Sequence, residues 1–526
     1  MPKVLISDKL SPTAVAVFKE RGLETTYDPD LGKDPEKLAA VIGEYDGLAI
    51  RSATKVKGAI LENAANLKVV GRAGIGVDNV DIPASTARGV VVMNTPYGNA
   101  VTTAEHAIAM MFALARQIPL ANASTHAGKW EKSRFMGVEL FNKTLGVVGC
   151  GNIGSIVAGR ALGLKMKVIA FDPFLTPERA LELGVKKVEL DELLAKADVI
   201  TLHTPLTDQT RNIISADALA KVKPGLRLVN CARGGLVDEV ALKEALDDGR
   251  VAGAALDVFE TEPATEHPLF GHENVVATPH LGASTSEAQE NVAVQIAEQM
   301  ADYLLTGAVT NALNMPSITA EEAPKLTPFL ALAEKLGLFA GQLTETGVEE
   351  IEVSFAGEVA SLNVKPLLQT AVAGVLKPML QGVNIVSAPS VAKDRGIVIS
   401  ERTTDDAGSY DSLISLRVRT ERQTRTVSGV LFGGEPRIVE IKGVKMDAEF
   451  AEHLLYVTNE DKPGFIGALG GALGEAGVNI ATFNLGRAAA GGDAIALVAV
   501  DQAVEPGLLD ALTTLEHVRQ AKALAF

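Results

Sequence analysis

Over the first ninety residues, short apolar runs alternate with longer amphipathic stretches. The runs are Val4-Leu5-Ile6, Gly47–Ile50, Leu67–Val70 and Val90–Met93, and their spacing predicts parallel βα units. A long helix is predicted from Thr102 to Gln117, opened by Thr102 and Thr103 with Glu105 in its first turn. A second series begins at Thr144, runs through a glycine-rich turn into a helix, and continues with strands at 167–171, 199–202, 227–230 and 275–278. That series predicts a second doubly wound sheet. Thr306 to Pro328 carries Gly307, Pro316, Pro324 and Pro328 among polar residues, the composition of a linker. Beyond it, β-rich runs such as Leu413–Val418 and Arg437–Ile441 hold no chemistry motif. From His453 the order strand, Asp461-Lys-Pro-Gly turn, helix, strand, glycine-rich turn, strand, helix predicts a small βαββαβ-like module.

Length and charge narrow the possibilities. At roughly 150 residues per domain, 526 residues imply three or four domains. Hydrophobic residues at 47%, charged residues at 22% and a mean hydropathy of +0.19 match a globular chain rather than a disordered one. A net charge of −16 repels phosphodiester backbones and anionic lipid, so neither nucleic acid nor a membrane is an expected partner. The longest apolar run, Ala107 to Ala115, is far below the ~20 residues that span a bilayer. The N-terminus reads as a strand rather than a signal peptide, so a cytoplasmic location is expected. Cys150 and Cys231 make neither a disulfide framework nor a zinc site by themselves, which suits a reducing compartment; no metal is expected.

Chemistry concentrates at predicted strand ends. Gly149-Cys150-Gly151-Asn152-Ile153-Gly154 follows a strand and opens a helix, as a dinucleotide fold requires for its tight turn, pyrophosphate approach and close helix packing. A βα turn without a ligand has the same local pattern. Asp172 tips the balance: it ends the next strand, where a carboxylate accepts hydrogen bonds from adenosine ribose hydroxyls and repels a 2′-phosphate, favouring NAD over NADP. Oxidising an alcohol needs a base for the hydroxyl proton, a cation for the substrate carboxylate and a group that fixes the base. His280, Arg233 and Glu262 suit these roles, although each in isolation could equally be a cap, a surface ion pair or a solvated acid.

The set Gly149 to Gly154, Asp172, Val229–Asp238, Ala255–Glu260, Glu262 and Thr278–Ser284 resembles the D-isomer-specific 2-hydroxyacid dehydrogenases, in their long form with intervening and ACT domains. The resemblance implies an α/β fold with two Rossmann-like doubly wound parallel-sheet domains, an α+β intervening domain and a C-terminal ACT domain. The implied boundaries are a discontinuous substrate domain at 1–98 and 287–315, an NAD-binding domain at 99–286, an intervening domain at 316–452 and an ACT domain at 453–526. It implies NAD-dependent oxidation of 3-phosphoglycerate to 3-phosphohydroxypyruvate, at the entry to serine biosynthesis. His280 would be the general acid/base, Glu262 its hydrogen-bond partner, and Arg233 the carboxylate anchor. Asn152 and Ile153 would lie over the pyrophosphate, Thr204, Cys231 and Ala232 along the cofactor, and Asp257 near the nicotinamide carboxamide. His280, Gly282 and Ala283 would close the cofactor site, with both cysteines as packing groups.

Phosphate recognition needs further cations. Arg51 and Ser52 resemble the family's substrate loop, as do Gly74, within Gly71–Asn79, and Asn99. Arg51 with Ser52 offers a bidentate donor and a hydroxyl suited to phosphate or carboxylate. Trp130, Lys132 and Arg134 form another cationic segment, readable either as a solvated loop or as part of a neighbouring subunit's site. In the tail, Asn459, Asp461 and Asn479 fall where ACT modules hold the amino and carboxylate groups of an effector, here L-serine. A homo-oligomer, with a tetramer favoured, is expected. Two other readings stay open: reduction of 2-oxoglutarate or another 2-oxoacid, and a non-catalytic NAD-sensing scaffold.

Overall fold

The computed structural model describes residues 1–319 and 321–526. The first sheet joins β1 (Lys3–Ile6), β2 (Glu24–Tyr27), β3 (Gly47–Ile50), β4 (Val69–Arg72) and β5 (Val91–Asn94) in the order β2-β1-β3-β4-β5, all parallel. The second joins β6 (Thr144–Val148), β7 (Lys167–Phe171), β8 (Lys186–Lys187), β9 (Val199–Leu202), β10 (Leu226–Asn230), β11 (Val251–Leu256) and β12 (Val275–Ala277). Its order is β12-β11-β10-β9-β6-β7-β8, again all parallel. Strand order reverses between β6 and β9, and a crevice outside the carboxyl ends at such a switch point is where open α/β sheets bind ligand.

The chain then returns to the first sheet. Helix Ser286–Thr306 lays Ile296 and Met300 against Gly71 of β4; a Cβ on that glycine would lie 2.2 Å from the Met300 sulfur. An Arg21–Asp302 ion pair of 2.6 Å ties the same helix to the first sheet's flank. Past it, Asn314 caps the β5 edge, accepting from the Val92 N–H at 2.9 Å and donating to the Val90 carbonyl at 2.9 Å.

The third sheet contains β13 (Val348–Gly357), β14 (Val398–Thr404), β15 (Ser412–Thr420), β16 (Thr424–Phe432), β17 (Glu435–Ile441) and β18 (Val444–Glu449). It is antiparallel apart from the β13–β14 pair. The fourth contains β19 (His453–Glu460), β20 (Ile480–Arg487), β21 (Asp493–Val500) and β22 (Val518–Ala525) in the antiparallel order β20-β21-β19-β22. The last two sheets share a core: Tyr456 of β19, fully buried, stacks edge-on against Phe339 with ring centroids 5.9 Å apart. Gln342 exchanges two 2.9 Å hydrogen bonds with the Ala525 backbone.

One expectation needs correction. The segment read as a linker to Pro328 instead becomes helix at Ala323, and the helix runs to Gln342. Pro324 stands in the first turn, where an N–H has no intrahelical acceptor, so it initiates the helix rather than breaking it. Pro328 then forfeits only its own bond to the carbonyl four residues earlier, and the buried face beyond it, Leu332, Leu336 and Phe339, carries the helix onward.

Candidate active site

Three loops at the carboxyl ends of the second sheet converge. Past β10, Gly234 packs directly on the Phe259 carbonyl, with no room for a Cβ, and so presses the Arg233 loop against the 259–262 segment. Glu262 turns back to accept the Phe259 N–H at 3.0 Å through Oε1, and its Oε2 meets His280 Nδ1 at 2.6 Å. Burial opposes ionisation of Glu262, but the hydrogen bonds from His280 and the Phe259 backbone outweigh it and hold the carboxyl below its ordinary range. His280 Nε2 is left for a ligand, on a side chain half exposed to the cleft.

The backbone under His280 is strained, at φ +55°, and the residue is held there by its N–H donating 2.9 Å to the Asp257 carbonyl. The Asp257 carboxylate, fully buried, accepts from Thr278 Oγ1 (2.6 Å), Leu281 N (2.7 Å) and Gly282 N (2.8 Å). His106 Nε2 lies 3.2 Å from the same carboxylate. Burial works against this charge, yet the donors, His106 first among them, keep the carboxyl lowered. His106, Asp257 and Cys231 stand close enough together to hold a cation. Asp257 already spends both oxygens on protein donors, and burial beside Asp257 pushes the Cys231 thiol far up, so the cluster is better described as a hydrogen-bond network.

The cofactor crevice has the shape a dinucleotide needs. A Cβ on Gly151 would meet nothing within 4 Å, leaving the N-terminus of helix Asn152–Gly163 open for a pyrophosphate. Gly154 lets that helix press onto the Gly149 carbonyl, where a Cβ would be 2.0 Å away. Asp172 is fixed at the end of β7, its Oδ2 accepting from Cys150 N and its Oδ1 from Phe174 N, both at 2.8 Å. At the end of β9, Thr204 Oγ1 and His203 Nδ1 are buried without partners, as groups awaiting a ligand would be. Asn152 reaches across to the Pro96 carbonyl at 3.3 Å, and Ile153 packs into the core beneath the turn. Ala232 and Ala283 line the same loops, and the buried Cys150 thiol is pushed up to about 11 by desolvation and Asp172. The residues present fit NAD.

Facing these loops, the first sheet contributes guanidinium groups. Asp8 Oδ2 accepts from Arg51 N (2.7 Å) and Thr54 N (3.1 Å), while Asn79 Nδ2 donates to the Arg51 and Thr54 carbonyls, so the Arg51-Ser52 loop is pinned from both sides. Arg72, within the Gly71–Asn79 segment but not singled out there, ends β4. Burial and repulsion from Arg233 and Arg51 bring its guanidinium pKa down to about 10, and among the described residues its Nε has no partner. Gly74 makes room for it, since a Cβ there would lie 1.6 Å from Arg72 Nη1. Asn99 Oδ1 is likewise buried and unpartnered. Arg233 arrives from the opposite side, with Nε on Asp78 at 3.0 Å and Nη1 on the Ala232 carbonyl at 2.7 Å. A signal for Arg72 existed: a charged residue directly after the buried run Val69-Val70-Gly71. Arg134, by contrast, is tied to Glu131 and Glu273, and Trp130 is exposed.

In the fourth sheet the proposed effector residues are not brought together within one chain. Glu460 pairs with Asp493 while Ile480 pairs with Val500, so Asn459 and Asp461 lie at one end of β21 and Asn479 at the other. At about 3.4 Å per residue the two ends are roughly 24 Å apart. Asp461 is closed by Arg487 (2.8 Å) and Gly491 N (2.9 Å), Asn479 donates to Asp501 (2.7 Å), and Asn459 Oδ1 is buried without a partner.

Comparison with known proteins agrees with this geometry. Residues 108–282 match the NAD-binding domain of D-isomer specific 2-hydroxyacid dehydrogenases, 325–442 the D-3-phosphoglycerate dehydrogenase intervening domain, and 453–517 the ACT domain. D-3-phosphoglycerate dehydrogenase of Synechocystis is 43% identical over 99% of this chain and 94% of its own length. That of Bacillus subtilis is 42% identical over 100% and 99%. Among solved structures, D-lactate dehydrogenase from Aquifex aeolicus, complexed with NAD and lactic acid, is 27% identical with a TM-score of 0.53, covering 60% of this chain and all of that one. The chain belongs to the D-3-phosphoglycerate dehydrogenase family, within the D-isomer-specific 2-hydroxyacid dehydrogenases.

Proposed function

We propose that the cleft oxidises 3-phospho-D-glycerate to 3-phosphohydroxypyruvate with NAD, the first step of L-serine biosynthesis. The observation that carries this reading is the His280–Glu262 pair at 2.6 Å, set opposite a cleft into which Arg51, Arg72 and Arg233 project mutually repelling charges. NAD, when bound, accepts the electron pair and hydrogen that leave the substrate's C2. His280 Nε2 takes the C2 hydroxyl proton, and Glu262 stabilises the imidazolium from Nδ1. Arg233 holds the carboxylate and polarises the forming carbonyl through its free edge. Arg51 and Arg72 take the phosphate, whose charge relieves their repulsion. Gly149 to Gly154, Asp172, Thr204 and the Ala232 and Gly282 loops would hold the cofactor. The test is NADH formation by the purified chain with 3-phosphoglycerate, D-glycerate and D-lactate; turnover of the phosphorylated substrate should dominate. Guanidinium groups at both ends of the cleft also suit a dicarboxylic 2-oxoacid such as 2-oxoglutarate, reduced in the opposite direction.

L-serine is the effector we assign to the tail, bound between two copies of the chain, because Asn479 and Asp461 occupy opposite sheet ends. A homotetramer in the cytoplasm completes this reading. Exposed Val101, Phe112, Ile118 and Leu120 mark a face suited to a second copy. No described helix is long and apolar enough to cross a membrane. Initial rates against serine for the wild type and for Asn479→Ala test the effector assignment.

A further inference from the structure

The helix Ala100–Arg116 presents Thr103, His106 and Met110 on one face, at the three- and four-residue spacing of helix neighbours. All three meet the 278–282 loop. Met110 Sδ lies 3.7 Å from Thr278 Oγ1, a Cβ on Gly282 would be 3.4 Å from Thr103 Cγ2, and His106 Nε2 is 3.3 Å from Thr278 Oγ1. His106 is therefore the ionisable member of an otherwise packing stripe, and among the described residues its one charged partner is the Asp257 carboxylate. That carboxylate fixes the loop on both sides of His280, through Thr278, Leu281 and Gly282, while its backbone carbonyl fixes His280 itself.

From this chain of contacts we infer that His106 is a positioning residue: its Nε2 bonds the Thr278 hydroxyl and lies 3.2 Å from Asp257, and so completes the clamp that keeps His280 in its strained backbone conformation, aimed at the substrate. The inference rests on His280 being the acid/base. Its physical basis is economy of donors around a buried charge. Remove His106, and the Thr278 hydroxyl loses its ring-nitrogen partner while the buried Asp257 carboxylate loses its neighbouring imidazole, so both must shift to recover polar partners. Any shift moves the loop they hold. A loop displaced by about 1 Å costs turnover up to about a hundredfold without a matching loss of binding, because hydride and proton transfer depend on alignment more steeply than substrate affinity does. The helix is also capped at Asn99, whose buried Oδ1 has no partner among the described residues.

The experiment uses the full chain as His106→Leu, His106→Gln and His280→Ala, with rates expressed per NADH-binding site titrated by protein fluorescence so that misfolded enzyme does not count. Glutamine places an amide N–H near the position of histidine Nε2. Expected for His106→Leu is a kcat reduced about tenfold to a hundredfold with KM for 3-phosphoglycerate and NADH affinity within about threefold of wild type. Expected for His106→Gln is recovery of most of that loss. A wild-type kcat in His106→Leu, a loss confined to KM, or a glutamine variant as slow as the leucine variant would overturn the inference. His280→Ala separates the two readings: if it turns over normally, the acid/base assignment fails first; if it is inactive while His106→Leu is normal, only the inference about His106 fails.

Discussion

Asp78 and Arg233 meet across the cleft, Oδ2 to Nε at 3.0 Å, one residue from a loop of the first sheet and one from the second. The pair fixes the guanidinium from its Nε side while Ala232 takes Nη1, so the Nη2 edge beside Gly76 is the part that the proposed carboxylate anchor would offer to substrate. Asp78 is largely exposed and Arg233 partly so, which limits the energy at stake. Asp78→Asn should raise KM for 3-phosphoglycerate by about twofold to fivefold, the scale of an exposed ion pair, with kcat nearly unchanged. Steady-state kinetics check it, and a large fall in kcat would give Asp78 a more direct part in the chemistry.

Arg51→Ala and Arg72→Ala should each raise KM for 3-phosphoglycerate roughly tenfold to a hundredfold, the cost of a lost charge-assisted bond of ~1.5–3 kcal/mol. The same variants should affect D-glycerate, which has no phosphate, far less. Equal losses on both substrates would move the guanidinium groups to the carboxylate end.

Asp172→Ala should weaken NAD and narrow its advantage over NADP, because the carboxylate both accepts ribose hydrogen bonds and repels a 2′-phosphate. Titration of both cofactors measures the ratio. The variant also frees the Cys150 and Phe174 N–H groups, so the melting temperature of the unliganded chain should fall slightly.

His203 is partly buried beside the cofactor crevice, its Nδ1 closed off from solvent, and desolvation of the ring holds its pKa down to about 4. Its folded value lies below the ordinary ~6.5, so between those limits the unfolded chain binds more protons and stability falls as pH falls. Below about 4 the effect saturates. His203→Gln removes this titration, so the drop in melting temperature between pH 7 and pH 5 should be smaller in the variant. An unchanged drop would assign that acid sensitivity to other groups.

Much of this was legible along the chain because its strongest signals are local. Parallel strands buried on both faces are continuous apolar runs, and β1, β3, β6, β7 and β9 stand out as such. β2, Glu-Thr-Thr-Tyr, is a mostly exposed edge strand with no apolar run, and β11 is built largely of alanine and glycine, so neither announced itself. The loops that carry Glu262, Arg233 and His280 were readable because each is distinctive in sequence and follows a strand. Arg72 offered only the weak signal of a charge after an apolar run and His106 none, because the contacts that single them out are distant: Arg72 with Arg51 and Arg233, and His106 with Asp257, 151 residues along the chain. The join between the last two sheets was hidden for the same reason. Tyr456 and Phe339 each read as ordinary core residues until the fold stacks them.

The central claim is that His280, held by Glu262, moves the substrate's hydroxyl proton. The most direct measurement is kcat of His280→Ala for NADH formation from 3-phosphoglycerate, alongside NADH affinity of the same protein. The account predicts turnover lower by at least the ~10²–10⁴ of a lost general acid/base, with NADH binding close to wild type. Turnover near the wild-type rate, with the protein folded and binding cofactor, would contradict it.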